Sequence, residues 1–122
     1  MWLLGSDSIV NGVLTVTGVS AAQASQPIDY KAHGIITIYL RSIGTTSGGT
    51  ILIEEADWGP NEQVYSGTWS QIASIAASSF TGGAQTAYHV TDSSYGWLRV
   101  RISSAITGGG TILASMRSRG AM

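Results

Sequence analysis

Trp97-Leu98-Arg99-Val100-Arg101-Ile102-Ser103 alternates apolar and polar side chains without a break. Successive side chains of a strand point to opposite faces, so Leu98, Val100 and Ile102 share one face while Trp97, Arg99 and Arg101 share the other. Ile36-Thr37-Ile38-Tyr39-Leu40-Arg41 repeats the pattern, with Ile36, Ile38 and Leu40 inward and Tyr39 and Arg41 outward. Outward from these two runs, further strands are expected near 8–17, 50–55, 86–91 and 111–117, with weaker ones near 27–32 and 68–76. β-Branched and aromatic residues dominate all of them, as pleated half-buried surfaces prefer. Trp69, Ile72, Ala73, Ala76 and Phe80 also fall on one helical face. Gly67-Thr68 is nevertheless a poor helix start, and the segment is read as a strand followed by an Ala/Ser loop.

Eight short strands separated by turn-rich punctuation predict an all-β fold: a single antiparallel β-sandwich, jelly-roll-like. The boundaries expected are an N-terminal arm over 1–7, the sandwich over 8–117 and a C-terminal tail over 118–122. Gly48-Gly49-Thr50-Ile51-Leu52 recurs as Gly109-Gly110-Thr111-Ile112-Leu113. Both copies are read as hairpin turns, one in each half of the chain.

The 122 residues suit one domain. Charged residues are 11%, against about 25% in an ordinary soluble domain, while Gly, Ser and Thr exceed a third of the chain. A surface so neutral repels neighbouring chains weakly, which suits a protein working inside an assembly. Six basic and seven acidic residues leave no electrostatic footprint for nucleic acid. Without cysteine there is neither a disulfide framework nor a thiolate metal site. No apolar run approaches the length of a membrane helix, and Met1-Trp2-Leu3-Leu4-Gly5 is not a signal peptide, so synthesis and use without export are expected.

Catalytic constellations are thin. His33 and His89 lack zinc-site spacing, and no nucleophile elbow or phosphate-cradling loop occurs. Glu54, Glu55 and Asp57 are weak candidates for calcium ligands, but their spacing matches neither an EF-hand nor an RTX repeat and a solvated acidic loop is the plainer reading. Glu54 and Glu55 should point to opposite faces, which argues against a paired-carboxylate hydrolase. No catalytic residue, metal or cofactor is assigned.

The outward Tyr39 and Arg41 with Trp97, Arg99 and Arg101 read as a docking face for a protein partner, because Trp, Tyr and Arg bury large areas while keeping a polar handle. A second sheet stacked there, with Arg stems covering the rim, or a sugar-binding platform would use the same residues. If the face is for docking, replacing Arg99 and Arg101 together should weaken assembly and leave thermal stability nearly unchanged. Trp2, Leu3 and Leu4 are expected to pack on their own sandwich or on a neighbouring subunit, and the tail bearing Arg117 and Arg119 to meet an acidic protein surface.

The run from Gly96 through Thr111, with Gly67-Thr68-Trp69-Ser70-Gln71-Ile72-Ala73-Ser74 upstream, resembles small β-sandwich structural proteins of tailed bacteriophages, the capsid decoration or cement proteins. That resemblance covers roughly the second half of the chain. It implies a non-enzymatic, jelly-roll-like subunit, a homotrimer, that ties adjacent copies of the major capsid protein together on the virion surface after synthesis in the host cytoplasm. It carries over no particular functional residue. The alternative is a receptor- or glycan-binding tip of a tail or head fibre, with Trp58, Tyr95 or Trp97 as stacking platforms.

Overall fold

The alternation read from the sequence is realised as a buried layer. Ile36, Ile38 and Leu40 meet Leu98, Val100 and Ile102 in one core with Ile51, Ile53, Ile112, Ala114 and Met116. A computed structural model describes residues 1–29, 35–57, 67–90 and 96–119. Its strands are β1 (Trp2–Leu4), β2 (Ser6–Val10), β3 (Val13–Thr17), β4 (Gln23–Ala24), β5 (Ile28–Asp29), β6 (Ile35–Ile43), β7 (Gly48–Ala56), β8 (Trp69–Ala76), β9 (Gln85–Val90), β10 (Trp97–Thr107) and β11 (Thr111–Arg119). One sheet runs β1-β11-β6-β9 and the other β4-β10-β7-β8, with β5 also on β10. All pairings are antiparallel.

β4 and β5 are two pieces of one strand, broken around Ser25 and Pro27. Ser25 is buried, and it bridges the break. Its N–H donates to the Val100 carbonyl at 2.8 Å, and its hydroxyl accepts from the Val100 N–H at 2.9 Å. Counted so, the sandwich strands run first-eighth-third-sixth in one sheet and second-seventh-fourth-fifth in the other. The chain changes sheet at every step except β7 to β8. That is the two-Greek-key connectivity of a jelly roll.

Several local expectations change. The Gly-Gly-Thr segments are not hairpins: β6 and β7 lie in different sheets, as do β10 and β11. Both are arches that carry the chain across the sandwich, and they sit side by side. Gly110 N–H donates to the Thr45 carbonyl at 2.7 Å, and Ser47 N–H to the Thr107 carbonyl at 2.9 Å. Thr46 is fully buried beneath them, its hydroxyl donating to the Ala77 carbonyl at 2.9 Å. The segment 68–80 is a strand, followed by a single 3₁₀ turn, Ala77–Phe80, that seals Phe80 into the core.

Residues 1–7 are not a separate arm. Trp2–Leu4 is an edge strand on β11, with Leu4 buried in the core. The single strand expected near 8–17 is instead the hairpin β2–β3, which interrupts the first sandwich strand: Leu4 opposes Ala114 before it, and Val19 bridges to Ile112 after it. Nor does the tail begin at 118, since β11 continues through Arg119, which opposes Ile35. Among the described residues no helix is long and apolar enough to cross a membrane.

Candidate functional site

Because the two sheets share one core, their outward faces point in opposite directions. Tyr39 and Arg41 belong to β6, whereas Trp97, Arg99 and Arg101 belong to β10 in the other sheet. The structure therefore divides the expected docking set between two sides of the molecule. Sequence parity gives inward or outward for each strand, but not which sheet the strand joins.

On the β10 side, the outward residues close on themselves. β10 opposes β7 so that Arg99 faces Glu54, Arg101 faces Leu52 and Trp97 faces Ala56. Glu54 is only 4% exposed. Arg99 Nε donates to its Oε1 at 2.8 Å, Arg101 Nε to the same oxygen at 3.0 Å, and Arg101 Nη2 to Oε2 at 3.2 Å. The Arg99 guanidinium also lies 4.2 Å from the Trp69 ring centroid, near enough for a cation–π contact. Burial alone would raise the Glu54 carboxyl; the two guanidiniums outweigh it and hold the group below its ordinary value. The result is an Arg-Glu-Arg cluster, with two guanidiniums on one carboxylate, beside Trp69 and the half-buried Trp97.

This cluster corrects the metal and acidic-loop readings for Glu54, whose oxygens are occupied by arginine. Glu55 opposes the inward Leu98, so the two glutamates do face opposite ways, and Asp57 is exposed beyond the strand end. Among the described residues no cluster of His, Asp or Glu is placed to hold a metal. His33, Trp58 and Tyr95 lie outside the described residues.

The opposite face belongs to the β1-β11-β6-β9 sheet. Tyr39 is half-buried between Ser115 and Ala87, and the exposed Arg41 lies between Leu113 and Gln85. Thr37 Oγ1 and His89 Nδ1 share a 2.9 Å hydrogen bond, next to the exposed Arg117. Trp2 is partly exposed, while Leu3 packs against the core.

A third surface went unread in the sequence. Every residue of β2 and β3 is exposed, including Ile9 at 73%, Val13 at 64% and Leu14 at 62%. The hairpin leaves the sandwich through Gly5 and Gly18, where an added Cβ would collide with Leu113 and Thr111. Its tip is Asn11-Gly12, with φ of 52° and 78°, the left-handed pair that a type I′ turn requires. The signal was present: Asn11-Gly12 between Ile9-Val10 and Val13-Leu14 is a strong hairpin mark. Compared with known protein families and with curated proteins, the chain matches none.

Proposed function

We propose that this chain is a non-enzymatic structural protein of a virion, a capsid decoration or cement protein that binds the assembled shell of the major capsid protein and stabilises it. The observation that carries this reading is the distribution of apolar surface. Ile9, Val10, Val13, Leu14 and Val16 are exposed together on a projecting hairpin, while the chain as a whole is unusually poor in charge. A solitary protein gains nothing from such an arm, whereas a subunit gains by burying it at a contact. The resemblance of the Gly96–Thr111 region to cement proteins, and the jelly-roll connectivity of the strands, support the same reading.

The mechanism needs no covalent step. A protein that binds the finished lattice, and not its dissociated subunits, stabilises the lattice by the free energy of its own binding. The outward faces bearing Trp97 and Tyr39 are the surfaces available for that contact. The test is addition of the purified protein to bare, expanded phage capsids. Co-sedimentation that saturates at a fixed number of copies per shell is expected. Failure to bind any capsid lattice, with binding on a glycan array instead, would overturn the proposal in favour of a fibre tip.

A further inference from the structure

Residues 6–17 form a two-stranded sheet that, among the described residues, no third strand completes. Val10 opposes Val13, Ile9 opposes Leu14, Ser8 opposes Thr15, Asp7 opposes Val16 and Ser6 opposes Thr17. In a hairpin closed by a two-residue turn, the pair flanking the turn is hydrogen-bonded and the pairs alternate from there. β3 therefore commits the backbone groups of Val13, Thr15 and Thr17 to β2 and turns those of Leu14 and Val16 to its outer edge. Among the described residues no strand pairs with that edge.

A lone hairpin is marginal in water, and this one exposes five apolar side chains. Together they present on the order of 500 Å² of apolar surface. Ile9, Leu14 and Val16 share one face of the hairpin and Val10 and Val13 the other, so two arms joined edge to edge satisfy the open backbone groups and cover the flanks of Leu14 and Val16, a contact smaller than a standard interface. Charge narrows the choice of occupant. Asp7 is the hairpin's only charged residue and sits on β2, so the β2 edge carries a guard against pairing and the β3 edge carries none. An acidic or basic partner finds no counter-charge on β3; an identical neutral strand finds matching groups.

We infer that β3 pairs antiparallel with β3 of a second copy of this chain, about a two-fold axis at Thr15, joining the two hairpins into one four-stranded sheet. With that centre all five residues are paired. Leu14 falls opposite Val16 of the second copy, apolar against apolar, and these are the residues whose backbone groups face the open edge. Thr15 meets Thr15. The contact is isologous, so it gives an even number of copies, unlike the homotrimer that the cement-protein resemblance implies. The inference rests on the reading of the hairpin as an assembly arm and names that arm's partner.

The test is native mass spectrometry with light scattering on the full chain at about 100 μM, a concentration suited to an interface at the small end of the range. Wild type is expected at twice the chain mass of 12.7 kDa. Thr15→Lys and Thr15→Glu each place like charges directly opposite across the axis and are expected to lose about tenfold in self-affinity. Mixing the two variants should restore a dimer, of heterodimer mass, which a merely misfolded arm would not do. A monomeric or trimeric wild type, variants that pair as tightly as wild type, or a mixture that does not recover would each overturn the inference. A dimer that binds no capsid would sink only the cement reading, and a monomer that binds capsids only the pairing.

Discussion

Glu54 sits where a lone carboxylate is costly, almost wholly withdrawn from water on the outer face of a sheet. Arg99 and Arg101 make the position tolerable, and that changes what their removal should do. Replacing both by Ala strands the carboxylate and loses the stacking on Trp69. The expected cost is about 2–3 kcal/mol of stability, below the fully buried figure because Arg101 keeps about a third of its side chain in water. Thermal denaturation would read this as a clear fall in Tm, against the near-neutral effect that a pure docking face predicts. Acid has a related effect. The Glu54 carboxyl titrates lower in the folded chain than in the unfolded one, so its contribution is complete above the ordinary glutamate range and is lost as pH falls through the folded value. The stability gap between wild type and Glu54→Gln, measured by chemical denaturation, should be widest near neutrality and close in acid. No sequence spacing exposes this cluster, because Glu54 and Arg99 are 45 residues apart and meet only through the β7–β10 register.

The elements divide by how local their signals are. β6 and β10 were legible because period-two alternation fixes both strand and buried face. β8 was legible despite its helical face, since its Ser-rich remainder and Gly67-Thr68 lead-in favour a strand. The Gly-Gly-Thr arches were misread as hairpins because a tight glycine turn looks the same whether the next strand returns to its own sheet or crosses to the other. Hairpin β2–β3 reads as a single strand because Ile9-Val10 and Val13-Leu14 place apolar β-formers close on both sides of Asn11-Gly12. That turn gives a test of the hairpin's independence. Gly12→Val forces a β-branched residue to a φ of 78°. Because the hairpin lies outside the core, the variant should leave sandwich stability within about 0.5 kcal/mol of wild type. Hydrogen exchange should speed up across residues 6–17 and stay unchanged across β10; slowed exchange in the hairpin, or loss of protection in β10, would contradict this placement.

At the scale of the molecule, the one-sided strands were sufficient for an all-β sandwich, because burying so many of them in a single small domain requires two facing sheets; the jelly-roll order, expected from two glycine hairpins, is present although both segments are arches. The division of outward residues between opposite sides was not readable, since strand order is decided by long-range pairing. What emerges is a sandwich with an Arg-Glu-Arg cluster beside Trp69 and Trp97 on one face, Tyr39, Arg41 and Arg117 on the other, and an exposed apolar hairpin interrupting its first strand. Such a body suits gripping neighbours, and the central claim is that its neighbours are the subunits of a capsid. The most direct measurement is the disruption temperature of bare expanded capsids, by calorimetry, with and without saturating protein. The account predicts a rise of several degrees that scales with the number of copies bound; an unchanged transition at any protein concentration would contradict it.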